Sequence, residues 1–136
     1  MNIYLDIDGV ILANDIQEAK HSKEFIKYLT DNHNVYWLTT HCKGDAEYTV
    51  NFVSRYFDPE TIELLKKIKP TNWDTLKTEA IDFDKPFLWF DDQLFDSEKD
   101  ELDCRNLLDS WIEIDLSKNV DQLKDLIENF PSKSNG

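Results

Sequence analysis

The sequence predicts an α/β domain built on a mostly parallel, doubly wound sheet with helices on both faces. Short apolar runs rich in β-branched and aromatic residues recur at Asn2–Leu5, Val35–Leu38, Phe87–Phe90 and Trp111–Ile114. Segments with helical spacing of apolar residues separate them, a βαβα alternation that places crossover helices over a parallel sheet. At 136 residues and 40% hydrophobic content the chain suits one core. The expected domain spans residues 1–130, with a disordered tail, PSKSNG, at 131–136.

The first strand, Asn2 to Leu5, is continued in alternation by Ile7. Asp6 and Asp8 are therefore expected on one side of an extended backbone, and Gly9 lets the chain turn away. Two carboxylates so close repel, unless a cation lies between them or one stays protonated. Gln17 to Asn32 is polar, with Phe25, Ile26 and Leu29 on one face, and reads as a surface helix. Val35 to Leu38, closed by Thr39 and Thr40, reads as a buried strand. Ala46, Val50, Val53 and Phe57 form a helical stripe; Asp58-Pro59 ends that helix and opens a second through Ile62, Leu65 and Ile68. Trp73 to Ile81 reads as another short helix, Phe87 to Phe90 as a fully apolar strand, and Gln93 to Arg105 as loop and helix. After the strand at Trp111–Ile114, Asn119 with Gln122 predicts a capping box for a helix carrying Val120, Leu123, Leu126, Ile127 and Phe130.

The net charge of −13, from 28 acidic and 15 basic residues, argues against a general nucleic-acid binder. Cys42 and Cys104 lack CxxC spacing, which disfavours zinc and predicts two free thiols in a reducing compartment. The N-terminal apolar run is interrupted by Asp6 and Asp8, so it does not read as a secretion signal, and no stretch has the length of a membrane span. A cytoplasmic protein with no membrane partner is expected. Nothing in the sequence fixes an oligomeric state.

In a parallel sheet the ligand crevice lies at the carboxyl ends of the strands. The polar residues expected there are Asp6 and Asp8, Thr39 and Thr40, and Asp91 and Asp92. Each group has an ordinary reading alone. The threonines can cap a helix, Asp91-Asp92 can be a solvated turn, Lys77 an exposed helix lysine and His41 a polar loop residue. Trp37, Trp89 and Trp111 read as core. What points to chemistry is that three strands end in groups suited to one task.

The ordered set DIDGV, an apolar strand ending in threonine, a lysine, and an apolar strand ending in paired aspartates resembles the haloacid dehalogenase (HAD) superfamily. The resemblance runs from Met1 to about Phe130, with DIDGV its most distinctive part. WLTTH and FLWFDD are most similar to small capless phosphatases and to the HAD domains of RNA-repair proteins. It implies a Rossmann-like HAD core with minimal or no cap, in keeping with the short gaps after Gly9 and Thr39. It further implies a magnesium-dependent phosphatase. Asp6 would be the nucleophile, Asp8 the general acid and base, Thr39 (with Thr40 beside it) a phosphate-binding hydroxyl and Lys77 the charge-offsetting cation. Magnesium would be held by Asp6, the backbone carbonyl of Asp8, and Asp91 or Asp92, with Asp96 holding a water nearby. Lys69 and Lys85 compete with Lys77, which is preferred because it leads into the FLWF strand, whereas the others adjoin prolines. The implied partner is a phosphorylated substrate, a small molecule first, with a protein or nucleic-acid end as alternatives. Rival readings are a catalytically silent scaffold on the same fold and a receiver-type phosphoacceptor, in which the lysine would follow the acidic pair instead of preceding it.

Overall fold

The computed structural model describes residues 1–14 and 17–131. From β1 (Asn2–Leu5) the chain enters a small antiparallel hairpin, β2 (Leu12–Ala13) with β3 (Gln17–Glu18), then α1 (Ser22–Asn32) and β4 (Asn34–Trp37). There follow α2 (Ala46–Val53), α3 (Pro59–Leu65), β5 (Phe87–Asp91), α4 (Asp96–Cys104), β6 (Trp111–Glu113) and α5 (Gln122–Glu128). Tight 3₁₀ turns lie at Ser54–Tyr56, Lys77–Ala80 and Leu108–Ser110.

Four strands form one parallel sheet in the order β4-β1-β5-β6. The chain moves outward from β1 to β4, returns to the other flank of β1 as β5, and moves outward again to β6. The strand order therefore reverses between β1 and β5, and the crevice of an open α/β sheet opens at their carboxyl ends. Period-two alternation sorts the core. Ile3, Leu5, Leu88 and Phe90 meet Phe25, Ile26, Leu29, Leu65 and Leu123 on one face. Tyr4, Phe87 and Trp89 meet Ile81 and Leu102 on the other. The first face is the thicker, since α1 packs against both α3 and α5. Trp37 and Trp89 are fully buried, and Trp111 packs partly buried against the second cluster, as a core reading expects. Among the described residues no helix is long and apolar enough to cross a membrane.

Three element expectations need correction. The first helix starts at Ser22, not Gln17, because Gln17 and Glu18 pair with Ala13 and Leu12 and the Ala19 N–H donates to the Ile11 carbonyl. His21, in a left-handed conformation at φ 67°, blocks extension of the helix backwards. Trp73–Ile81 holds only the 3₁₀ turn at Lys77–Ala80, because the Glu79 carboxylate collects the N–H groups of Asp74, Thr75 and Leu76 and holds them in a loop. These bonds also keep the Glu79 carboxyl below its usual pKa. The expected capping box at the last helix does not form. The Gln122 side chain turns to β6, donating to the Glu113 carbonyl and accepting from the Asp115 N–H, and Val120 is exposed. The expected cap at Asp58 stands: its carboxylate accepts from the Thr61 N–H at 2.7 Å, with Pro59 opening α3. Of the expected tail, residues 132–136 lie outside the described residues.

Candidate active site

The register of β1 and β5 builds the site. Tyr4 lies beside Trp89, so two residues further on Asp6 comes beside Asp91 on the same face. Asp6 and Asp91 are 6% and 1% exposed, and the Asp6 N–H still donates to the Phe90 carbonyl. Asp6, Asp91 and the more exposed Asp92 present carboxylate oxygens within 4.8 Å of one another. Lys77, brought in by the 3₁₀ turn, sets Nζ 2.6 Å from Asp91 Oδ2 and 3.5 Å from Asp6 Oδ2.

Among the described residues, three carboxylates thus face one ammonium in a largely buried place. Burial, with the charge of Asp91, raises the Asp6 pKa well above the usual carboxylate range, against the pull of Lys77. Burial and a contact with the Asp91 carboxyl push Asp92 up to about 6. Burial lowers the Lys77 pKa, but Asp6 and Asp91 outweigh it and the net shift is upward. The oxygens are hard donors, close together and in excess of their counter-charge, which fits a magnesium ion at this point. Asp91 is already heavily engaged: its carboxylate accepts from Lys77 Nζ, Trp89 Nε1 and the N–H groups of Asp92 and Gln93. Asp92 lies instead against Gly9. A Cβ at Gly9 would overlap the Asp92 carboxylate, and Gly9 has φ +78°, so both space and backbone demand glycine.

Asp8 behaves differently from its sequence expectation. The chain does not stay extended through it: the Ile7 carbonyl accepts from the N–H groups of Val10, Ile11 and Leu12, which curls the backbone immediately after β1. The carboxylate crowding expected between Asp6 and Asp8 is found between Asp6 and Asp91 instead. Asp8 Oδ2 meets His41 Nε2 at 2.7 Å, and the Asp8 carboxyl is not one of the three clustered groups.

The remaining candidates separate cleanly. Thr39, fully buried at the end of β4, accepts the His41 N–H on Oγ1, which leaves its own O–H to donate. Thr40 is exposed on the rim. Lys69 sits at the outer edge of β4 with Nζ 5.5 Å from the Tyr36 ring centre, and Lys85 lines a small recess with Tyr4 and Tyr36. Neither is an ion-pair partner of the carboxylates that Lys77 reaches. Asp96 opens α4 on the surface, outside the three-carboxylate group.

Sequence reasoning missed three contributors. His41 reads in the sequence as an ordinary loop residue, yet its ring reaches Asp8. Buried Glu98 accepts the Lys77 N–H at 3.0 Å and the Phe95 N–H at 3.1 Å, tying the lysine turn to α4. Trp89 is core, yet its indole also donates to Asp91 at 3.1 Å. Its spacing of two residues from Asp91 was the available signal, because it puts both on one face of a strand.

Beyond Gly9 and Asp92 a groove of about 1110 Å³ extends past the β2–β3 hairpin and the start of α1 toward Asp115. Its lysines are paired, Lys20 with Asp121 and Lys23 with Glu60. No family model, curated protein or solved structure matches this chain.

Proposed function

We propose that this chain is a magnesium-dependent phosphomonoesterase of HAD type that works through an aspartyl phosphate on Asp6. One observation carries the reading: a buried carboxylate at the reversal point of a parallel sheet, sharing its crevice with two further carboxylates and a lysine. In the first step an Asp6 oxygen bonds to phosphorus while the ester P–O bond breaks. The leaving oxygen keeps the bonding pair and takes the proton of the Asp8 carboxyl. In the second step the Asp8 carboxylate removes a proton from water, whose oxygen bonds to phosphorus. The Asp6–phosphorus bond breaks, and inorganic phosphate and the Asp6 carboxylate are released. The Thr39 hydroxyl donates to a phosphoryl oxygen, and Lys77 offsets charge between nucleophile and phosphate. Asp6 and Asp92 would hold the magnesium, with Asp91 and the Asp8 carbonyl completing the protein's share. That ion would supply polarisation of the phosphoryl group and relief of carboxylate repulsion.

A small substrate suits the surroundings best. The groove beside the site carries both signs of charge, and the whole chain is acidic, so neither offers the continuous positive stripe that a polyanion requires. The test is phosphate release from p-nitrophenyl phosphate. Turnover that requires magnesium and disappears in Asp6→Asn is expected. Magnesium-independent turnover contradicts the metal-dependent mechanism, and absence of turnover toward any phosphomonoester favours a silent scaffold.

A further inference from the structure

We infer that His41 is the positioning residue for the acid–base carboxyl of Asp8, holding Oδ2 so that Oδ1 carries the proton given to the leaving group. This rests on the phosphomonoesterase reading and adds to it a residue and an oxygen-level assignment. The distance of 2.7 Å between His41 Nε2 and Asp8 Oδ2 is that of a charge-assisted hydrogen bond. Oδ2 only accepts both when Asp8 is ionised and when its proton sits on Oδ1, so this arrangement has the hydrogen on Nε2, and Nδ1 need not carry one. With Oδ2 engaged, Oδ1 is the oxygen left to hold a proton, surrender it as the ester bond breaks, and take one back from water.

The imidazole is itself held in place, which separates it from a casual surface contact. Its ring stacks on Phe52 of α2, centroid to centroid 3.9 Å with planes 16° apart. Its backbone is fixed on both sides: the N–H donates to Thr39 Oγ1 at 3.3 Å, and the carbonyl accepts from Thr49 Oγ1 at 3.0 Å. Thr49 is fully buried in the first turn of α2 and also donates to the Asp45 carbonyl at 3.1 Å. A ring fixed by a helix, holding one oxygen of a carboxyl on a curled turn, is how a short flexible side chain is given one orientation. The pair is partly exposed and contributes little to stability, so the ring's effect is expected in rate more than in folding.

The test compares kcat/KM, which reports the chemistry through formation of the aspartyl phosphate, for glycerol phosphate and p-nitrophenyl phosphate. An alkoxide leaving group needs the proton and a nitrophenolate scarcely does. His41→Leu should lower kcat/KM for glycerol phosphate by about 10- to 10²-fold, the cost of a misplaced catalytic group. For p-nitrophenyl phosphate it should change by no more than about threefold, on the reasoning that protonation contributes least where the leaving group is good. His41→Gln, which keeps an N–H donor at similar reach, should recover most of the loss. His41→Phe keeps a ring on Phe52 and removes the donor, and carries the same expectation if leucine unsettles the turn. Equal losses on the two substrates, no loss on either, or a glutamine variant no better than leucine overturns the role of His41 alone. A folded wild type that hydrolyses neither ester with magnesium overturns the phosphomonoesterase reading, and this role with it.

Discussion

Asp6 and Asp8 stand two residues apart and occupy opposite electrostatic settings. Asp6 lies on the floor of the crevice, buried among carboxylates, with the Lys77 ammonium 3.5 Å away. Asp8 stands at a partly exposed corner, one oxygen tied to a histidine that rests on α2. The floor is built from β1 and β5 in register, the corner from the curl after β1 and the loop after β4. Two aspartates so close in sequence acquire different surroundings because the backbone leaves the sheet between them. A buried oxygen fixed by its strand suits in-line attack, and a carboxyl that can gain and lose a proton suits the wetter corner.

The largest effect that separates the two regions is kinetic. Asp8→Asn keeps the floor intact, so it should still form the covalent intermediate from an aryl phosphate. Its turnover of an alkyl phosphate should fall by roughly 10²–10⁴-fold, the contribution of a positioned acid–base group. Burst kinetics on both esters measures this, and an equal loss on the two would erase the distinction between floor and corner.

A smaller effect concerns magnesium. Calorimetry should show binding to the wild type and weaker binding to Asp92→Asn, while Asp8→Asn, which leaves the backbone carbonyl in place, binds nearly as the wild type does. Bound ion should raise the melting temperature by mass action. Undiminished binding in a variant with both Asp91→Asn and Asp92→Asn would place the ion elsewhere.

The smallest effect is on the pH dependence of folding. Asp92, pushed up to about 6 chiefly by burial, has a folded pKa above its unfolded value. Its contribution to stability is therefore fully present below the unfolded pKa and lost as pH rises through about 6. Without magnesium, the melting temperature of Asp92→Asn relative to wild type should climb across that window, and magnesium should reduce the difference. A difference that stays flat from about pH 4 to about pH 6, between the ordinary and the raised carboxylate pKa, would mean that burial beside Asp91 does not raise the Asp92 carboxyl.

The floor was far more legible in the sequence than the corner. Residues at the ends of apolar strands announce themselves by position, so Asp6, Thr39, Asp91 and Asp92 could be listed before any register was known. The four strands of the parallel sheet lie within a residue of expectation because short, mostly apolar runs survive tertiary context, whereas the two-residue strands of the hairpin carry no such run. Side-chain capture is what escaped. Glu79 unmade a helix by collecting three N–H groups, and Gln122 left its cap for β6. His41 reached Asp8 across 33 residues. Such bonds depend on where a short polar side chain ends up after folding, and no periodicity records that.

In the proposed reaction Asp6 carries the phosphoryl group. Asp8→Asn, mixed with an aryl phosphate and magnesium and quenched in acid within the burst, should yield protein heavier by one phosphoryl group. After borohydride reduction and digestion, the modified residue should map to Asp6. Phosphate trapped on any other residue, or an Asp6→Asn protein free of contaminating phosphatase and of deamidation that still turns over substrate, would contradict the account.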